Sequence, residues 1–235
     1  MTVTLPLAGS TAVVTGASRG IGRAIALRLA EAGAEVGLWA RDADALRSVA
    51  GEIAERGGRA QTMVCDVTDS AAVNRAADLV RRTMAPVRIL VNNAGVAIRK
   101  PTIEIGDAEW RALMAVNVDA TFYVTRAFLA DLTRAEGRVI NIASIGGRQG
   151  TPLLAAYCTS KHAVVGFTRA LALELRAAKV CVNAICPGSV DTAMLRESMP
   201  GAKADMTTDD VARTALFLAH EAPAALTGSC IDVFG

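Results

Sequence analysis

Apolar residues come in two kinds of run along this chain. Short, nearly continuous runs of Val, Ile, Leu and Ala alternate with longer stretches whose apolar positions recur at helical spacing. Residues 11–15 (TAVVT) predict a first strand, and residues 23–32 a helix closed by Gly33. The alternation continues with a strand at 35–39, a helix at 44–56 ended by Gly57-Gly58, a strand at 60–65, a helix at 70–83 and a strand at 88–91. A long helical stretch over 107–134 follows, then a strand at 138–142, a helix at 156–178 and a strand at 180–185. A helix over 208–219 and a short strand at 229–233 complete the pattern. Strand and helix thus repeat about six times, which predicts an α/β fold: a doubly wound parallel sheet with helices on both faces. No linker, internal repeat or low-complexity segment divides the chain, so residues 1–235 read as a single domain.

Composition fits that picture. Hydrophobic residues make up 52% of the chain and aromatics only 4%, so aliphatic side chains build the core, as suits a buried parallel sheet. The net charge of +2 gives no electrostatic footprint for nucleic acid or anionic lipid. No apolar stretch is long enough for a membrane span, and the N-terminus lacks a charged region followed by a long apolar one; the expectation is a cytoplasmic protein. The five cysteines contain no CxxC pair and read as reduced thiols. His162 and His220 belong to no ligand-like cluster, so no metal site is expected.

Ligands of such sheets bind outside the carboxyl ends of the strands. The first of those segments is Thr15-Gly16-Ala17-Ser18-Arg19-Gly20-Ile21-Gly22. Its glycines let the backbone approach a pyrophosphate closely, and the following helix N-terminus offers unpaired N–H groups. A glycine turn between a strand and a helix is the context that makes a dinucleotide site of it. The TGxxxGxG spacing resembles the short-chain dehydrogenase/reductase family, which has a Rossmann-type sheet, and the resemblance runs along nearly the whole chain.

That resemblance assigns the other strand ends. Asp66-Val67 match the family's adenine contact, and Asn92-Asn93-Ala94-Gly95 its NNAG motif, in which Asn93, Ala94 and Gly95 would form the adenosine-ribose wall. Pro187-Gly188-Ser189-Val190-Asp191-Thr192 match the segment that contacts the nicotinamide, with Pro187, Gly188, Val190 and Thr192 as the contacting residues. Asn117, Ser144, Tyr157 and Lys161 match the catalytic tetrad. In a dinucleotide fold, an acid ending the second strand holds the ribose of NAD, and an arginine accommodates the 2′-phosphate of NADP. Ala40 stands in the acid's place, Arg41 follows, and Arg19 is a second cation, which favours NADPH over NADH. A shift of one residue in register would instead make Asp42 the NAD acid.

The tetrad's residue types suit ketone reduction, which needs a hydride on carbon and a proton on oxygen. Tyrosine has a reference pKa of about 10. An adjacent ammonium and a positively charged nicotinamide would lower it towards working pH. By resemblance, Lys161 also holds the nicotinamide ribose, Ser144 hydrogen-bonds the substrate oxygen, and Asn117 holds a water that links Lys161 to solvent. The resemblance implies an NADPH-dependent carbonyl reductase similar to 3-oxoacyl-thioester (acyl carrier protein) reductases, acting on a small carbonyl or alcohol, acyl thioesters included. The alternatives are an alcohol, steroid or sugar dehydrogenase running oxidatively, and a dinucleotide-binding sensor without turnover.

Two features depart from the family pattern. The substrate lid over residues 193–207 is shortened, where relatives carry a longer two-helix segment, and residues 231–235 stop before the added C-terminal segment that many members have. The Tyr157 helix is apolar on more than one face. Its surplus reads either as a partner surface of a homodimer or homotetramer, as is common in the family, or as deeper burial within one subunit.

Overall fold

The computed structural model describes residues 5–234. Residues 1–4 and 235, the ends of the expected domain, lie outside the described residues. Seven strands form one sheet: β1 (Thr11–Thr15), β2 (Glu35–Ala40), β3 (Arg59–Val64), β4 (Val87–Asn92), β5 (Arg138–Ile142), β6 (Cys181–Pro187) and β7 (Cys230–Val233). Their order is β3-β2-β1-β4-β5-β6-β7, and every pairing is parallel. Strand order reverses between β1 and β4, so the ligand crevice belongs there.

Register decides which residues meet at that end. Thr15 pairs with Trp39, Ala40 with Val64, and Val14 with Val91, so the segments after β1, β2, β3 and β4 leave the sheet at one edge. Ile142 pairs with Ile185 and Pro187 with Val233, which brings the segments after β5, β6 and β7 together beside them.

Helices cover both faces. α1 (Gly20–Glu31), α2 (Ala43–Glu55) and α8 (Thr208–Leu216) bury Ile25, Leu29, Leu46, Ile53 and Val211 against one face. α3 (Ser70–Thr83), α5 (Ala120–Arg134) and α6 (Ala155–Glu174) bury Val73, Val80, Phe128, Leu132 and Leu171 against the other. Each such side chain contributes about 1.5–3 kcal/mol by leaving water. Asp42, Asp69 and Thr207 accept backbone N–H bonds that start α2, α3 and α8. α1 differs: Arg19 at its N-cap makes no such bond, so its first N–H groups have no side-chain cap.

Several elements depart from the periodicity. α1 begins inside the glycine turn, three residues before the apolar repeat, because its opening glycines carry no apolar signal. The stretch over 107–134 is α4 (Asp107–Met114) and α5 joined through a π-helical turn, Ala115–Asp119. α6 stops at Glu174, and a single 3-10 turn, Arg176–Ala178, follows it. The surplus apolar residues of α6 divide: Val164, Val165 and Leu171 are buried within the subunit, while Leu173 is 73% exposed. The lid holds one short helix, α7 (Ala193–Ser198), and its return is tied down by a bridge between Val190 and Met206. No described helix is long and apolar enough to cross a membrane.

Candidate active site

The glycine turn is built by close approach. A Cβ on Gly22 would lie 2.3 Å from the Gly16 carbonyl oxygen and from Asn93 Nδ2, so no other residue fits. Gly16 has φ +63, and a Cβ there would sit 2.9 Å from Asn93 Nδ2. Gly20, at φ +56, is different: only Thr192 Cγ2, at 3.6 Å, lies near its missing side chain. The turn therefore packs inward at Gly16 and Gly22 and stays bare at Gly20, opposite the segment after β6. A bare backbone leading into an uncapped helix N-terminus fits a pyrophosphate, with Ser18 and Ile21 in the same turn.

Thr15 joins this turn to the segment after β4. Its hydroxyl accepts the N–H groups of Asn93 and Ala94 at 3.0 and 3.1 Å, and Asn93 Nδ2 donates back to the Thr15 and Gly16 carbonyls. Gly95 follows; a Cβ there would lie 3.4 Å from Asn117 Oδ1 and 3.5 Å from Lys161 Nζ. Gly95 thus leaves the space over both groups open.

Asn117 sits in the π turn and is buried. Its Oδ1 accepts the Val96 N–H at 2.8 Å, and its Nδ2 donates to the Val96 carbonyl and to Ser160 Oγ, both at 2.9 Å. Both amide protons are used inside the protein. The side chain acts chiefly as a clamp on Val96, and the expected water is left to its remaining lone pair and its main-chain carbonyl.

Ser144 leaves β5 in extended conformation and caps a single 3-10 turn, Ile145–Gly147, by accepting the Gly146 N–H at 3.0 Å. Tyr157 and Lys161 are one turn apart on α6 and share a face. The Lys161 ammonium is 5.8 Å from the Tyr157 ring centre and donates to the Ile142 carbonyl at 2.8 Å. Burial drives its pKa down from 10.5 to about 8, against a smaller raising by Cys186. Burial pushes the Tyr157 phenol above its ordinary value, while a hydrogen bond with Ser144 pulls the other way. Among the protein's own groups burial is the largest influence on the phenol; the lowering expected from the Lys161 ammonium together with a positively charged nicotinamide belongs to the cofactor-bound site. His162 and Cys158 turn aside, the imidazole Nδ1 lying 2.9 Å from the Cys158 carbonyl.

At the end of β2, Ala40 is the last strand residue and Asp42 is committed to capping α2, its Oδ1 accepting the Ala45 N–H at 3.0 Å. Arg19 and Arg41 are exposed, and neither forms an ion pair among the described residues. Asp66 is held below the usual carboxylate range, first by the Thr68 backbone N–H and hydroxyl, and also by the field of Arg41. Arg41 and Asp66 therefore face the same part of the crevice; Val67 beside them is buried.

After β6, Pro187 is the last strand residue and the Gly188 N–H bonds to the Val233 carbonyl at 3.0 Å. Val190 is buried at the Met206 bridge, and Thr192 caps α7 through the Leu195 N–H at 3.2 Å. Between α7 and the segment after β4 lies a cleft of about 370 Å³, lined by Arg19, Gly95, Val96, Ile98, Arg99, Met194 and Glu197. All the sequence-derived site residues thus gather along the carboxyl edge of one sheet.

Two participants were given no role from the sequence: Thr15, read only as the first residue of the TGxxxGxG turn, bonds Asn93, Ala94 and the Val91 carbonyl, and Ser160 bonds Asn117 and the Tyr157 carbonyl. Thr15 carried one signal, its place as the hinge between strand and glycine turn. Ser160 carried none.

Comparison with known proteins places this geometry among others. The profile of the family described as short chain dehydrogenase matches residues 10–203. The 3-oxoacyl-(acyl-carrier-protein) reductase FabG of Pseudomonas aeruginosa is 33% identical over 243 residues, which cover 98% of either protein. Galactitol 2-dehydrogenase (L-tagatose-forming) of Cereibacter sphaeroides is 39% identical over 244 residues, covering 97% of this chain and 95% of that protein. The solved structure of a single-site variant of actinorhodin polyketide ketoreductase with NADPH superposes with a TM-score of 0.90 at 36% identity, covering 96% of each chain.

Proposed function

The chain belongs to the short-chain dehydrogenase family and is an NAD(P)-dependent oxidoreductase acting on CH–OH and C=O groups, and on that premise we propose that it reduces a ketone with NADPH. The observation that carries the reading is the meeting of Ser144, Tyr157 and the buried Lys161 ammonium at the carboxyl edge of β5, beside Gly95. The phosphate preference is supported by Asp42 being spent on a helix cap while Arg19 and Arg41 form no ion pair among the described residues.

The chain's residues divide the work as follows. Gly16, Ser18, Gly20, Ile21 and Gly22 hold the pyrophosphate, with Arg19 and Arg41 on the 2′-phosphate. Asp66, Val67, Asn93, Ala94 and Gly95 border the adenosine, and Pro187, Gly188, Val190 and Thr192 border the nicotinamide. When bound, the nicotinamide supplies the hydride for the carbonyl carbon. Tyr157 gives its phenolic proton to the carbonyl oxygen, and the Ser144 hydroxyl hydrogen-bonds the same oxygen as charge grows on it. Lys161, with a pKa of about 8, is charged at neutral pH and favours the tyrosinate left behind. Asn117 fixes Val96, the wall of the substrate cleft. The short lid leaves that cleft open towards a chain-like substrate such as a 3-oxoacyl thioester.

Trp110 and Phe122 on α4 and α5, and Leu173 on α6, are exposed, and the Arg126 guanidinium lies 4.8 Å over the Phe122 ring. These faces support a homodimer or homotetramer. Five free thiols suit the cytoplasm.

The test is Tyr157→Phe against a panel of ketones and 3-oxoacyl thioesters with NADPH. Turnover is expected to fall at least about a hundredfold while NADPH binding stays within about twofold. Unchanged turnover refutes the assigned chemistry. Turnover only with polyols and NAD would favour the oxidative reading, and cofactor binding with no turnover on any substrate would favour a sensor.

A further inference from the structure

The segment that carries Ser144 is held from two sides. On one side it is wedged against α6: a Cβ on Gly147 would lie 2.7 Å from the Lys161 carbonyl oxygen, and one on Gly146 3.3 Å from Cys158 Sγ. The turn is therefore packed closely against α6 through its two glycines. On the other side stands β7, whose Asp232 is in register with Cys186 of β6. Asp232 Oδ1 lies 3.4 Å from Nε of Arg148, and each side chain is about one third exposed, at 34% and 31%. Arg148 ends the same single turn that Ser144 begins, its N–H closing on the Ile145 carbonyl at 2.8 Å. Among the described residues Arg148 has no other carboxylate within ion-pair distance. β7 also fixes the segment after β6, through the Gly188 N–H on the Val233 carbonyl and through Phe234, whose Cδ1 would lie 3.1 Å from a Cβ on Gly188.

We propose that Asp232 is a positioning residue: by holding Arg148, it keeps the turn that Ser144 begins, and with it Ser144, seated beside Tyr157. This rests on the ketone-reduction reading for its consequence, though not for its geometry. Without the pair, the turn keeps its backbone bonds and its seat against α6 but loses its side-chain tie to β7, so Ser144 shifts relative to the phenol.

The chain has two tyrosines, so Tyr123→Phe leaves Tyr157 as the single reporter. In that background, with carbon-13-labelled tyrosine, Asp232→Asn and Arg148→Gln are expected to move the Tyr157 ring-carbon resonance in the same direction. The exchanged pair Arg148→Asp/Asp232→Arg is expected to move it back. In the otherwise native chain, Asp232→Asn is expected to lower kcat about fivefold with NADPH affinity within about twofold, as befits a partly exposed ion pair. The difference from the parent should fade at about 1 M salt, where such pairs are screened. A resonance that stays put in folded Asp232→Asn and Arg148→Gln proteins, or that the exchange does not restore, overturns the proposal. Resonances that move in a protein with no turnover on any carbonyl would sink the ketone-reduction reading and leave the positioning role standing. Turnover with static resonances would do the reverse.

Discussion

Lys161 makes a prediction about stability that is independent of any substrate. Burial lowers its pKa from 10.5 to about 8. Each pKa unit is worth about 1.4 kcal/mol, so the folded protein binds this proton roughly 3 kcal/mol less tightly than the unfolded chain does. The sign follows from proton counting. Below about pH 8 both states carry the proton, and the folded state bears the full cost of burying the charge. Between 8 and 10.5 the folded state sheds the proton while the unfolded chain keeps it, so stability rises with pH across that window. From about pH 7.5 to 9.5 the gain is on the order of 2 kcal/mol. Lys161→Met removes the titration and leaves the Ile142 carbonyl without its donor, a loss that does not vary with pH. Cys65 and Cys186, pushed up from 9.0 to about 11, lose stability above pH 9 in both proteins, so the useful quantity is the difference between parent and variant. Urea unfolding at a series of pH values measures it. The parent should gain on the variant by about 2 kcal/mol over that range, and parallel curves would refute the burial argument.

The remaining predictions concern the crevice. Arg41→Ala should weaken NADPH at least about tenfold more than NADH, as expected for loss of a charged phosphate contact; equal effects by fluorescence titration would remove the basis for the 2′-phosphate assignment. Gly22→Ala should cost about 3 kcal/mol, since its Cβ meets two atoms at 2.3 Å. Gly51→Ala, within α2 and with nothing within 4 Å, should instead stabilise by about 0.5–1 kcal/mol, and thermal unfolding of the two checks whether close packing or chain entropy governs each glycine.

The fold was legible because its two periods are strong. Strands such as residues 138–142 are built around Val139, Ile140 and Ile142, and their bounds agree with β5. The placement of the site residues followed, since parallel strands deliver their loops to one edge. What escaped was non-local. The commitment of Asp42 to a helix cap depends on where β2 ends, and the sequence alone left both registers open. The engagement of Asn117 with Val96 spans two elements, and the pull of burial on Tyr157 depends on atoms that only the folded chain brings near. The Arg148–Asp232 pair joins the middle of the chain to its last strand, a distance over which no local pattern speaks.

The π turn at Ala115–Asp119 has a consequence for how this protein can vary. An extra residue in a helical turn rotates everything before it by about 100° relative to everything after it. α5 keeps Val124, Phe128 and Leu132 against the sheet, while α4 presents Glu109 to the cleft. The two halves of one helix therefore answer to separate constraints. The turn thus sets which α4 residues border the cleft separately from which α5 residues meet the sheet, while Leu113 keeps α4 anchored in the interior.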